Sequence, residues 1–139
     1  MDSARVTIKN KIEDVSKAIV AFEVFAAKHG IAIGIMTRVN IVLDELLSNT
    51  VKYGFPEASE SDIEIILELF EDGKLTIQLT DEGEPFNPFE LEDPDTTIGI
   101  GDRNIGGLGV LIIKKLMDEY TYQRKQNQNV VLLSKRSVL

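Results

Sequence analysis

The chain has 139 residues, 43% apolar and 27% charged, a balance that suits one soluble globular domain with a real core. It has no cysteine and one histidine, His29, which excludes disulfides, thiolate metal sites, a cysteine nucleophile and a histidine-rich metal centre. The formal net charge of −8 repels phosphate backbones, so direct nucleic-acid binding is not expected, whereas a basic or mixed-charge protein partner suits it. The opening "MDSARVTIKN" lacks an apolar leader segment, and charges interrupt every apolar run before it reaches bilayer length, so neither a secretory leader nor a membrane partner is expected.

In chain order, residues 3–9 alternate as a short strand does. Ile12, Val15, Ile19, Phe22 and Ala26 recur at helical spacing and predict a helix over 11–28, stopped by His29-Gly30. A second helix is predicted from about Gly34 to Tyr53, with Val39, Val42, Leu43, Leu46, Leu47 and Thr50 inward. "GFPEASES" is a loop, because Pro56 disfavours helix at the residue before it. Residues 62–70 and 74–80 alternate, and Asp72-Gly73 between them is a strong hairpin signal.

Residues 82–109 differ, with three prolines, six glycines and an acidic run, "FELEDPD". A structureless stretch of that length inside a compact domain is functional or disordered. "GGLGVLIIKKLMDEY" then predicts a glycine-led helix, and "TYQRKQ" with "VVLLSKR" a closing hairpin. The order β, α, α, β, β, long loop, α, β, β predicts a single α+β domain. Its expected architecture is a two-layer sandwich: a mixed, mostly antiparallel sheet with about three helices on one face.

Three patches carry chemistry. In "LDELLSNTVKYG", Glu45 and Asn49 are four apart and Lys52 follows on the same flank. A carboxylate can accept a proton, an amide oxygen suits Mg²⁺, and an ammonium suits a phosphate. On these residues alone, a solvated helix face is the commoner explanation. In "LTDEGEPFNP", Asp81 ends a strand, where a fixed carboxylate can accept from an exocyclic amine, and Gly83 permits close backbone approach. An acidic turn reads the same way. In "NIGGLGV", Gly106, Gly107 and Gly109 lie where the long loop enters a helix, which offers free N–H groups and the positive end of the dipole to an anion. Flexible helix entry is the alternative, although three glycines cost helix stability. No Gly-Lys-Ser/Thr follows, so this is not a P-loop.

The order and spacing of "DELLSNTVKYG", "DEGEPF" and "GGLG" resemble those of the histidine-kinase-like (Bergerat-fold) ATPases. The size, the N-terminal strand and helix, and "DEGEPFNP" are most similar to the anti-sigma-factor serine/threonine kinases of partner-switching systems. The resemblance implies ATP and Mg²⁺, with Glu45 as general base and Asn49 holding the metal. It implies Asp81 accepting the adenine amine beside Gly83, and Gly106, Gly107, Leu108 and Gly109 around the phosphates, under a lid at about 82–109. Lys52 and Asn129 would complete the ATP site. The sequence departs from the family pattern at Ile105, where an arginine is common, and at Asn129, where a threonine is; Arg103 lies near the first. The implied function is phosphorylation of a serine on a small antagonist protein and sequestration of a sigma factor by a cytoplasmic homodimer. The alternatives are a nucleotide-sensing binding module and an ATP hydrolase using Glu45 to activate water.

Overall fold

The computed structural model describes residues 1–56, 59–90 and 105–137, with the backbone alone at 105–108. Its elements are β1 (Asp2–Lys9), α1 (Ile12–Lys28), α2 (Ile33–Tyr53), β2 (Asp62–Leu69), β3 (Lys74–Asp81), a 3₁₀ turn (Pro88–Glu90), α3 (Ile105–Leu116), β4 (Glu119–Lys125) and β5 (Gln128–Arg136).

The five strands lie in the order β1-β2-β3-β5-β4, and every neighbouring pair is antiparallel. The sheet is therefore antiparallel throughout rather than mixed. β3 and β4 run the same way, but β5 sits between them, so no parallel ladder forms.

Alternation decides which face is buried. Ile63, Ile65 and Leu67 of β2 and Leu75, Ile77 and Leu79 of β3 point inward, as do Val131 and Leu133 of β5. Against them α1 presents Val15, Ala18, Phe22 and Phe25, while α2 presents Val39, Val42, Leu43, Leu46 and Leu47. Fully burying each of these valine, leucine, isoleucine and phenylalanine side chains contributes about 1.5–3 kcal/mol against the entropy of ordering the chain. Ile12, expected in the inward stripe of α1, is the helix's first residue and is half exposed.

The turns follow local chemistry. Gly30 takes a positive φ of 71°, and Ile31 N–H donates to the Ala26 carbonyl at 2.9 Å, which closes α1 in a Schellman-type stop. Gly73, at φ 91°, turns β2 into β3. Gln126 and Asn127 both take positive φ, 52° and 62°, the geometry of a two-residue hairpin. α3 ends at Leu116, short of the predicted "LMDEY" extension, because Asp118 N–H already donates to the Ser134 carbonyl at 3.0 Å and the chain has joined the sheet. Among the described residues, no helix is long and apolar enough to cross a membrane.

Candidate functional site

The parity that buries Leu75, Ile77 and Leu79 also turns Asp81 inward, so the apolar row of β3 ends in a carboxylate only 7% exposed. Its Oδ1 accepts the Gly83 N–H at 2.8 Å and Asn129 Nδ2 at 3.0 Å. Burial pushes the Asp81 carboxyl above the usual carboxylate range; the Asn129 and Gly83 hydrogen bonds and the nearby Arg124 charge pull the other way. No described residue donates to its Oδ2.

The loop after Asp81 is tied down from three sides. Glu84 N–H donates to the Gly54 carbonyl at 2.8 Å, Arg124 Nη1 to the Gly83 carbonyl at 2.7 Å, and Asn129 Nδ2 to the Glu84 carbonyl at 2.8 Å. Gly83 must be glycine here: a Cβ would overlap the Gly54 carbonyl oxygen and lie 2.9 Å from Asp81 Oδ1. Phe86 packs against Tyr53 of α2 with ring centroids 5.8 Å apart. Asp81, Asn129 and Arg124 share one row across β3, β5 and β4.

α2 carries the second group of candidate residues. Asn49 is buried, and its Nδ2 donates to Oε1 of half-buried Glu45 at 3.1 Å. No described residue donates to Asn49 Oδ1. Lys52 is exposed and makes no ion pair among the described residues. At the Glu45 end α2 meets α3, where the backbone of Gly109 lies directly against the Glu45 carboxylate. Gly106, Gly107 and Leu108 fall in the first turn of α3, whose opening N–H groups have no intrahelical acceptor.

The sequence-predicted groups therefore gather along α2, with Asp81 and Gly83 at its Gly54 end and Gly109 at its Glu45 end. Those ends are about 13 Å apart at the usual helical rise. The expected lid falls largely on residues 91–104, outside the described residues, as does Arg103. Gly54, Tyr122 and Arg124 were not singled out from the sequence. Only the inward parity of Tyr122 and Arg124 on β4 could have suggested them. Among the described residues no group of three or more acidic or histidine side chains could hold a metal by itself.

The chain folds as an α+β sandwich, a five-stranded antiparallel sheet with helices packed on it, and the histidine kinase-like ATPase domain family matches residues 8–135. The chain belongs to that family. Within it, the serine-protein kinase RsbW of Listeria innocua is 27% identical over 138 residues, covering 94% of this chain and 85% of the relative. Its Staphylococcus aureus counterpart is 32% identical over 98 residues, 65% of this chain and 59% of that protein. The crystal structure of the RsbU and RsbW domains of Rv1364c from Mycobacterium tuberculosis has the same fold, with a TM-score of 0.71 at 14% identity. The match covers 98% of this chain and 32% of that one.

Proposed function

We propose that the chain is an ATP-dependent serine/threonine protein kinase of the partner-switching kind. It phosphorylates a serine on a small antagonist protein and, in the antagonist's absence, sequesters a regulatory partner such as a sigma factor. The similarity to named serine-protein kinases along nearly the whole chain supports this reading. The observation that carries it is the double anchorage of α2. One helix contacts the Asp81–Gly83 loop at Gly54 and the start of α3 at Glu45, a separation that suits a nucleotide from base to terminal phosphate.

Each residue has a role along that line. Asp81 offers Oδ2 to the exocyclic amine of adenine, because Oδ1 is already occupied. Gly83 lets the ring lie against the backbone. The N–H groups of Gly106, Gly107 and Leu108, at the positive end of the α3 dipole, face phosphate oxygens. Lys52 supplies a mobile positive charge to the same anion. Asn49 Oδ1 is a hard oxygen that would help hold Mg²⁺, and the ion when bound would supply positive charge to offset that of the phosphates. Glu45 has one oxygen engaged by Asn49 and one left to accept the serine proton. A homodimer in the cytoplasm is the expected setting, and sizing of the purified protein tests the dimer.

Incubation with γ-labelled ATP and Mg²⁺, with and without a small antagonist protein, tests the reading. Label on an antagonist serine is the expected result. Free phosphate alone would make the chain an ATP hydrolase. Binding without either would make it a nucleotide-sensing module.

A further inference from the structure

Asn129 stands beside Asp81 on the neighbouring strand, is 3% exposed, and uses every hydrogen-bonding group it has. Its Nδ2 donates to Asp81 Oδ1 at 3.0 Å and to the Glu84 carbonyl at 2.8 Å. Its Oδ1 accepts from Phe86 N–H at 3.2 Å and from the Tyr122 hydroxyl at 2.6 Å. A primary amide has two N–H donors and two acceptor sites, so none remains for a ligand.

The polarity of this arrangement is fixed by the backbone. The Phe86 N–H can only donate and the Glu84 carbonyl can only accept, so the amide cannot turn over without breaking both bonds. The Tyr122 hydroxyl then has to act as donor, and Asp81 Oδ1 has to act as acceptor. The consequence for Asp81 is specific. One oxygen is held by Asn129 and Gly83, and the other accepts no hydrogen bond from any described residue.

We propose that Asn129, held in turn by Tyr122 and by the backbone of Glu84 and Phe86, is a positioning residue that fixes the Asp81 carboxylate without touching the nucleotide. This rests on the reading of Asp81 as the adenine acceptor. It assigns a part to Tyr122, a residue with no place in the sequence-derived site, and it moves Asn129 from ligand contact to support.

The test has a nucleotide-dependent and a nucleotide-free arm. Calorimetric ATP affinities of wild type, Asp81→Asn, Asn129→Ala and the double variant form a cycle. Asn129→Ala should weaken ATP by about tenfold, the scale of one hydrogen bond to a charged group, yet add almost nothing to Asp81→Asn. Tyr122→Phe should weaken ATP less, and should be silent once Asn129 is gone. It keeps the cycle readable should Asn129→Ala fail to fold. Equal, additive losses in both backgrounds would overturn the proposal and make Asn129 a nucleotide contact. The second arm follows the Asp81 carboxyl by carbon NMR without nucleotide. Asn129→Ala should raise its pKa, because a hydrogen bond that favours the ionised form is lost, and Asn129→Asp should raise it further by setting acceptor against acceptor. An unchanged titration would overturn the hold of Asn129 on Asp81. Failure of the wild type to bind ATP would defeat the kinase reading alone, and the titration would still decide this coupling.

Discussion

The backbone of Gly109 on α3 is pressed against the carboxylate of Glu45 on α2, so that a methyl group at Gly109 would overlap Oε1, Cδ and Cγ of that side chain. A side chain at 109 would thus require the Glu45 carboxylate to move aside. Glu45 is gripped twice, by Asn49 Nδ2 from its own helix and by the neighbouring helix. Gly109→Ala should therefore act as an indirect Glu45 variant. The alanine favours helix intrinsically by about 1 kcal/mol, so secondary structure should not suffer. Phosphate transfer should fall steeply, up to the ~10²–10⁴-fold that a general base supplies, while ATP affinity changes far less. Single-turnover transfer measured beside calorimetric binding checks this; an unimpaired rate would mean the Glu45 carboxylate can be displaced without consequence.

Glu45 and Asn49 touch each other but should separate in function. Glu45→Gln keeps an oxygen for the Asn49 amide and removes the proton acceptor. It should bind ATP normally and lose transfer by about 10²–10⁴-fold. Asn49→Ala should instead remove the Mg²⁺-dependent part of ATP binding, leaving what remains in EDTA unchanged. Titrations with and without the metal distinguish the two. Wild-type transfer by Glu45→Gln would leave Glu45 as a structural surface residue.

Asp81 should trade stability for binding. Burial raises its folded pKa above the unfolded value, so the neutral carboxyl suits the fold better than the charged one. Its stabilising contribution is fully present below the ordinary carboxylate range and is lost as pH rises through the raised value. Asp81→Asn mimics the neutral form and keeps an oxygen for Gly83 and Asn129. Near neutral pH it should melt at or above the wild-type temperature, while weakening ATP by about tenfold or more through loss of the adenine acceptor. Thermal melts across the acid range, paired with ATP titration, check both halves. A less stable variant that retains full ATP affinity would reverse the assignment.

Much of this was legible because periodicity is a local signal. Leu75, Ile77 and Leu79 announce which face of β3 is inward, and Asp81 inherits that parity without further information. The i, i+4 spacing of Glu45 and Asn49 likewise foretold their contact. The α3 terminus is not legible locally, because "LMDEY" continues a helical pattern and only the long-range bond from Asp118 to Ser134 ends it. The same limit hid Tyr122, Arg124 and Gly54. Each acts on the Asp81 loop across strand pairing or helix packing, and nothing in its own neighbourhood marks it. Asn129 was found by family resemblance, but its saturation by four hydrogen bonds follows only from the register of β5 on β3 and β4.

The two ends of the site should differ in readiness. At the base end the Gly83, Glu84 and Phe86 N–H groups already have acceptors: Asp81 Oδ1 at 2.8 Å, the Gly54 carbonyl at 2.8 Å and Asn129 Oδ1 at 3.2 Å. Phe89 N–H adds a bond to Asn87 Oδ1 at 2.9 Å at the 3₁₀ turn. The described part of the long segment is thus anchored up to Glu90. At the phosphate end the opening N–H groups of α3 have no intrahelical acceptor, and glycines in that turn weaken its local helix. Amide hydrogen exchange should therefore be slow at Glu84 and Phe86 before any nucleotide is added, and fast at 105–108. Saturating Mg·ATP should raise protection at 105–109 and leave residues 62–80 nearly unchanged. Protection appearing at Glu84 and Phe86 instead, with none at the start of α3, would mean that the base end is built by the ligand and that the phosphates lie elsewhere.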